Sequence, residues 1–311
     1  MKEFEFILED RIAKIRSINE QYNLLDNAYI SFSGGKDSTV LHYLIDLALP
    51  DNKIPRLFLN TGIEYSDIRK FVKELSKADD RIIICNSNTN IRDMLNKYGY
   101  PFKSKQHSHN LAIYQHSGKT ITIKKYLREI EGNKIIACPK VLKYQFTNEF
   151  DLKCSDQCCI QMKKKVAHKW SIEHNKYITL TGMRSDEGGQ RLGKGCIVTD
   201  KDKNLVKFHP LMVTSDEWEE EFIKHYDIKL CKLYYPPYNF ERTGCKGCPF
   251  ALHLQDELDK MERLLPNEYK QCNLIWKPVY DEYKRLGYRL RKKDSYIQTN
   301  ILDFIDNNDD D

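Results

Sequence analysis

No window of this 311-residue chain approaches eighteen consecutive apolar residues, so the sequence holds no candidate transmembrane helix. The opening stretch MKEFEFILEDRIAKIRS is charged throughout and lacks the apolar core and cleavage site of a signal peptide. A cytoplasmic protein is expected, with no membrane partner. Internal repeats are absent, and the only low-complexity stretch is the acidic DFIDNNDDD, which makes 301–311 read as a disordered, solvating tail. A hydrophobic share of 41% is ordinary for a globular chain long enough to bury a sizeable core.

In a reducing compartment, ten cysteines point to metal binding or chemistry rather than to disulfides. Fifty Lys and Arg against 45 Asp and Glu give a net charge of +5, gathered at 119–128, 163–165 and 283–293. Three basic groups suit a polyanion such as nucleic acid, and solvated lysine-rich faces are the plainer reading.

Amphipathic spacing predicts a helix over 3–24 and further helices over 39–49, 65–77 and 159–174. Short β-prone runs at 27–33, 55–62, 80–88 and 176–184 alternate with them. That alternation indicates an α/β chain with a mainly parallel sheet. Residues 97–150 are polar, aromatic and irregular, and read as an insertion or lid within a 1–235 nucleotide-binding domain. A Cys-rich segment over 236–300 follows, with helices expected at 255–264 and 267–285.

The stretch SFSGGKDST (31–39) joins the first strand to the first long helix. A glycine-rich turn at that junction directs backbone N–H groups and the positive helix end at an anion. It matches neither GxxxxGK[ST] nor GxGxxG. Gly34 and Gly35 would let backbone approach phosphates, with Ser31, Ser33 and Ser38 supplying hydroxyls and Lys36 charge. Asp37 orients the loop or helps hold magnesium. Downstream, Arg184 and Arg191 follow a strand, and guanidinium suits oxyanions.

Cys158-Cys159 and Cys245-Lys-Gly-Cys248, 85 residues apart, form a second constellation. A CxxC turn presents two thiolates together, as clusters and metals require. Zinc held by Cys245, Cys248, Cys154 and Cys272 is the alternative. Lys163 and Lys164 beside the CC pair would contact an anion or offset thiolate charge. Cys85 is read as core, His209 as a packing position, and His107 and His109 as solvent-exposed.

Ser33-Gly34-Gly35-Lys36-Asp37-Ser38 is similar to the SGGxDS signature, the PP-loop of adenine-nucleotide α-hydrolases. The CC…CxxC spacing resembles the [4Fe-4S] pattern of sulfonucleotide reductases, and the chain resembles the cluster-containing branch of the PAPS reductase-like family over roughly 25–285. NTGIEYSDIRKFV, LTGMRSDEGGQR and HPLMVTSDEW resemble further family segments. The resemblance implies a Rossmann-like sheet with helices on both faces and a Cys-rich helical C-terminal part. It implies nucleotide contacts from the PP-loop together with Asn60, Thr61, Gly62, Glu64, Gly182, Arg184 and Arg191. Lys36, Asp37 and Arg184 would act in catalysis, and Cys158, Cys159, Cys245 and Cys248 would hold the cluster.

The family's reductases also carry a nucleophilic cysteine in a C-terminal ECG(L/I)H segment, and no cysteine follows Cys272 here. The balance therefore moves toward cleavage of ATP to AMP and pyrophosphate, with Mg2+ and a persulfide donor, as in nucleic-acid sulfur modification or defence. Reduction of adenylylsulfate or phosphoadenylylsulfate with a thioredoxin-type donor is the second reading, in which Cys272 or Cys138 would substitute. A non-catalytic adenylate-binding or zinc-stabilised module is the third.

Overall fold

A computed structural model describes residues 3–131, 137–186 and 195–292. The expected acidic tail and Arg191 lie outside the described residues. The chain divides into two compact units, Met1–Lys97 with Gln157–Lys246, and Tyr98–Asp156 with Gly247–Asp311.

The first unit is built on a sheet of strands β1 (Ala28–Phe32), β2 (Arg56–Asn60), β3 (Ile82–Asn86), β4 (Ile178–Leu180), β5 (Ile197–Thr199) and β6 (Leu205–Phe208), in the order β3-β2-β1-β4-β6-β5. All neighbours are parallel except β5 and β6. Parallel strands covered on both faces need side chains that pack either way, which is why β1 (AYISF) and β2 (RLFLN) read as nearly unbroken apolar runs. The first four strands fall where the sequence places them. The β5–β6 hairpin escapes sequence reading because three- and four-residue strands around a charged turn carry too little periodicity to register.

The helix Lys36–Ala48 begins within the glycine loop, three residues earlier than its apolar spacing suggests. Its apolar side, with Val40, Leu41, Leu44 and Ile45, is wholly buried. Its far end is tied down by Arg56, which is fully buried and donates to Asp46, Asn52 and the Ile54 carbonyl. His42 accepts from Arg56 through Nδ1 at 3.1 Å while its Nε2 faces Asp46 at 3.7 Å, and burial with nearby Arg56 pushes its pKa down to about 4. The glycine loop is thus the fixed end of a rigid element, where a strand order reversal between β2-β1 and β1-β4 leaves room for a ligand.

The second unit is helical. The 97–150 region, expected to be irregular, contains helices Lys105–Ser117 and Ile121–Leu127 and a 3-10 helix Lys140–Phe146. His107, expected in solvent, is fully buried, its ring bonded to Tyr126 Oη at 2.9 Å and Gln145 Oε1 at 2.8 Å. A polar residue satisfied by two polar partners belongs to the core as securely as an apolar one, which residue type alone does not show. His109 is exposed, as expected. Among the described residues the C-terminal part holds three helices where two were expected: Leu254–Leu264, Pro266–Ile275 and Lys277–Leu286. Pro278, near the start of the last, forces the break that apolar spacing alone does not show. No helix among the described residues is long and apolar enough to cross a membrane.

Candidate nucleotide site

The glycine loop forms one wall of a pocket of about 250 Å³ in the first unit. The loop is braced from within. Ser38 Oγ donates to the Gly35 carbonyl at 2.9 Å and accepts from Ser33 N–H at 3.2 Å, and the Ser33 and Ser38 hydroxyls are 3.0 Å apart. Gly35 N–H donates to Ser33 Oγ at 3.3 Å, and Thr39 Oγ1 donates to the Gly35 carbonyl at 3.0 Å.

The two loop glycines serve different ends. Gly34 has φ +70° and turns toward the helix Ser66–Ala78, where a Cβ would stand 2.6 Å from Val72 Cγ2. Its missing side chain is a packing requirement. Gly35 faces the pocket, and a Cβ there would meet the hydroxyls of Tyr234, Ser33 and Thr243 at 3.1–3.4 Å. Ser31, Ser33, Lys36, Asp37 and Ser38 all line the pocket, as the motif implies.

The TGxR segment after β4 reaches the loop through its backbone. At Gly182 a Cβ would lie 2.7 Å from the Asp37 carbonyl oxygen and 3.1 Å from Ser38 N. Backbone cannot swing aside as a side-chain tip can. Gly182→Ala is therefore expected to cost about 1–3 kcal/mol in stability and to weaken nucleotide binding by displacing the loop. Gly244→Ala, where a Cβ would meet open space, should leave the unfolding midpoint nearly unchanged. Thermal unfolding and ATP titration of the two variants check this.

Arg184 is buried and lies among carboxylates, donating from Nη1 to Asp186 and from Nη2 to Asp216, each at 2.8 Å. Its Nε is 3.5 Å from Glu219 and 4.0 Å from Asp37. Lys36 Nζ donates to the same Asp216 oxygen at 2.6 Å and is 3.5 Å from Glu219. Burial disfavours both cations, but the surrounding acids outweigh it and hold both pKa values above their ordinary range. Asp216 is held low by its bond from Lys36. Glu219 is fully buried; burial and adjacent Asp37 push its carboxyl up to about 8 against Arg184 and Lys36. Sequence reading missed Asp216 and Glu219, which stand in the acidic start of helix Asp216–His225.

Asn60, Thr61 and Gly62 are absent from the pocket lining; Thr61 reaches it indirectly, by holding Glu64. Thr61 donates its N–H and hydroxyl to the buried Glu64 carboxylate at 2.9 and 2.7 Å, and Asn60 bonds Asn86. Glu64 lines the pocket opposite Lys163, 3.4 Å away. Burial opposes the Lys163 charge, yet Cys245, Glu64 and Cys159 hold its pKa up. Lys163 is half-buried between these groups, and the π-helical turn Ile160–Lys164 that carries it follows the CC pair directly. His209, buried beside Thr181, is bonded from its ring Nδ1 to that hydroxyl at 2.6 Å.

No disulfide joins any of the ten cysteines. Cys158, Cys159 and Cys245 belong to the first unit, and Cys248 to the second. Soft thiols gathered around one ammonium fit a thiolate-bound cluster in their chemistry, since Lys163 would offset its negative charge. No group of three or more His, Cys, Asp or Glu side chains among the described residues is arranged to hold a metal ion. Magnesium needs no such cage, because it is usually carried by substrate phosphates with one or two carboxylates.

A family model described as the phosphoadenosine phosphosulfate reductase domain matches residues 27–138 and 139–251. Two uncharacterized proteins of Methanocaldococcus jannaschii are similar: MJ0973, 29% identical over 90% of this chain and 55% of its own length, and MJ0066, 23% identical over 82% and 41%. The chain spans about half the length of the curated relatives it matches. Among solved structures it is similar to the phosphoadenylyl-sulfate reductase of Candida auris in its phosphate complex, with a TM-score of 0.43 and 12% identity over 74% of this chain and 87% of that one. It is also similar to the U34-tRNA thiolase NcsA of Methanococcus maripaludis with its [4Fe-4S] cluster, at a TM-score of 0.39 and 16% identity over 89% and 80%. Neither structural likeness bears on substrate. The family match spans most of the first unit and carries both the glycine loop and the paired cysteines, and on that evidence the chain belongs to the phosphoadenosine phosphosulfate reductase domain family.

Proposed function

We propose that the chain cleaves ATP between its α- and β-phosphates to activate an acceptor for sulfur transfer, with DNA or RNA as the acceptor class. The observation that carries this reading is one pocket lined by both the SGGKDS loop and Lys163, the lysine flanked by Cys159 and Cys245. The phosphate-binding loop thus shares its pocket with a lysine that two cysteines flank from behind.

In the proposed reaction an acceptor oxygen attacks the α-phosphorus, the bond to the bridging oxygen breaks, and pyrophosphate leaves with the bonding pair. The terminal sulfur of a persulfide donor then displaces AMP to give an acceptor–donor disulfide, which a second thiol cleaves, freeing the sulfurated acceptor and leaving the donor and that thiol as a disulfide. Lys36 and Arg184 offset the charge growing on the leaving group, and Asp37 keeps the loop oriented through Arg184. Magnesium, if ATP is the substrate, would add positive charge at the phosphates. A [4Fe-4S] cluster, if held with one iron on each of Cys158, Cys159, Cys245 and Cys248, would supply redox capacity and negative charge next to Lys163. Arg191 would join the phosphate contacts.

Reduction of a sulfonucleotide needs an accessible, mobile thiolate. Cys138 and Cys272 are both buried, and burial pushes the Cys138 thiol up to about 11. That observation favours ATP over a reductase using either substitute.

The test is turnover of anaerobically purified protein on ATP, adenylylsulfate and phosphoadenylylsulfate in parallel. Pyrophosphate release from ATP, lost in Asp37→Ala and Ser33→Ala, is the expected result. Sulfite release with thioredoxin would overturn it in favour of the reductase, and tight binding without turnover in favour of a binding module. A brown protein supports the cluster, whereas a colourless one with stoichiometric zinc removes it.

A further inference from the structure

The loop serines, which the motif singles out, have few protons left for a ligand. Ser38 spends its single hydroxyl proton on the Gly35 carbonyl, and Ser33 Oγ, already accepting from Gly35 N–H, lies 3.0 Å from Ser38 Oγ, where its own proton is well placed. The first backbone N–H of the helix Lys36–Ala48 is also engaged: Lys36 N–H donates to Tyr234 Oη at 3.0 Å. Tyr234 stands 198 residues away in sequence and lines the pocket beside Thr243. Its hydroxyl is bonded to Thr243 Oγ1.

A count of protons on this pair decides what it does. Tyr234 Oη and Thr243 Oγ1 carry one proton each. One of the two is consumed in the bond between them, whichever group donates. Tyr234 has already accepted from Lys36, so the second proton has no acceptor among the hydrogen bonds the pair makes with described residues. If Thr243 donates to Tyr234, the phenol proton remains; if Tyr234 donates to Thr243, the threonine proton remains. Either arrangement leaves one hydroxyl donor beside Gly35, where both oxygens are within 3.4 Å of the space a Cβ would occupy. Burial pushes the Tyr234 pKa up to about 12, so the phenol keeps its proton throughout the neutral range.

We propose that the Tyr234–Thr243 hydroxyl pair is a positioning element that donates one hydrogen bond to a phosphate oxygen of the pyrophosphate moiety in this pocket. The assignment rests on the ATP reading above and deepens it, because it names a donor outside the SGGKDS signature. The pair switches its donor without losing it. Thr243→Val leaves the phenol proton available, and Tyr234→Phe leaves the threonine proton. Only the double variant removes both.

The probe is inorganic pyrophosphate, titrated calorimetrically into the full chain as wild type, T243V, Y234F and Y234F/T243V. T243V is expected to bind within about threefold of wild type, and the double variant at least about tenfold more weakly, as loss of one hydrogen bond to a charged group implies. The double loss should exceed the product of the single losses. A purely structural role would instead lower the unfolding midpoint of each variant and give multiplicative losses. Y234F retains the ring and its packing, so its midpoint and its pyrophosphate-induced midpoint shift remain readable if the double variant folds poorly. A shift in Y234F equal to wild type together with a full loss in T243V would overturn the pair. So would a folded double variant that binds as wild type does. Wild type binding neither pyrophosphate nor ATP would remove the ATP reading itself and this assignment with it, an outcome distinct from wild-type binding that is indifferent to the hydroxyls.

Discussion

Arg184→Ala is expected to lower ATP turnover by at least about a hundredfold and to destabilise the chain by about 1–3 kcal/mol, less than a fully buried pair because Asp216 and Asp186 reach solvent. Both effects follow from where the guanidinium sits. It is buried, bonded to Asp186 and Asp216, and within 4.0 Å of Glu219 and Asp37. Removing it leaves Lys36 as the nearest balancing cation for Asp37, Asp216 and Glu219. The loss is moderated because Asp216 and Asp186 can rehydrate and buried Glu219 holds its proton below about pH 8. Arg184→Lys should recover part of the stability and less of the activity, since an ammonium cannot span two carboxylates as the planar fork does. Denaturant unfolding and pyrophosphate release on the same preparations separate the two effects. A stable, active Arg184→Ala variant would mean that the acidic cluster is not organised around this residue.

The second large effect is a pH dependence seated at Glu219. Its carboxyl ordinarily titrates at 4.5 and is pushed up to about 8 in the folded chain, by burial first and by Asp37 second. Between those values the folded state holds a proton that the unfolded chain has released. Stability therefore declines as pH rises from about 4.5 and levels off above about 8, because the slope follows protons bound in the unfolded state minus those bound in the folded one. His42 and His107, both buried and pushed down to about 4, act in the opposite sense. They remove stability as pH falls from about 6.5 to 4. Glu219→Gln isolates the carboxyl from them. The unfolding midpoint of the variant minus that of wild type should grow from pH 5.5 toward 8 and then stay level. A difference independent of pH would show that Glu219 contributes only packing.

The legible parts of this protein are those whose meaning is local. SGGKDS lies at the end of β1 and opens the following helix, as six residues in a row can announce. Strands β1 to β4 were legible because buried parallel strands are short apolar runs bounded by turns. What was not legible depends on partners far along the chain. Lys36 meets Asp216 across 180 residues, and its N–H meets Tyr234 across 198. In the sequence Asp216 and Glu219 look like the acidic first turn of a surface helix, a common feature that favours the helix dipole and predicts exposure. Their placement against Arg184 and Lys36 comes from the sheet order, which puts β4 beside β1. Tyr234 and Thr243 were hidden in the same way, inside a proline-rich loop read for its cysteines. Gly34, expected to let backbone approach phosphates, also stands where a Cβ would meet Val72, a packing requirement that needs the neighbouring helix to be visible.

The account turns on which phosphorus is attacked, and ATP labelled in its α-phosphate settles that directly. Incubated with the anaerobically purified chain, magnesium and a persulfide donor, the label should appear in AMP or in an adenylated acceptor, with pyrophosphate released in equal amount. Label recovered in ADP, with inorganic phosphate released in place of pyrophosphate, would contradict it.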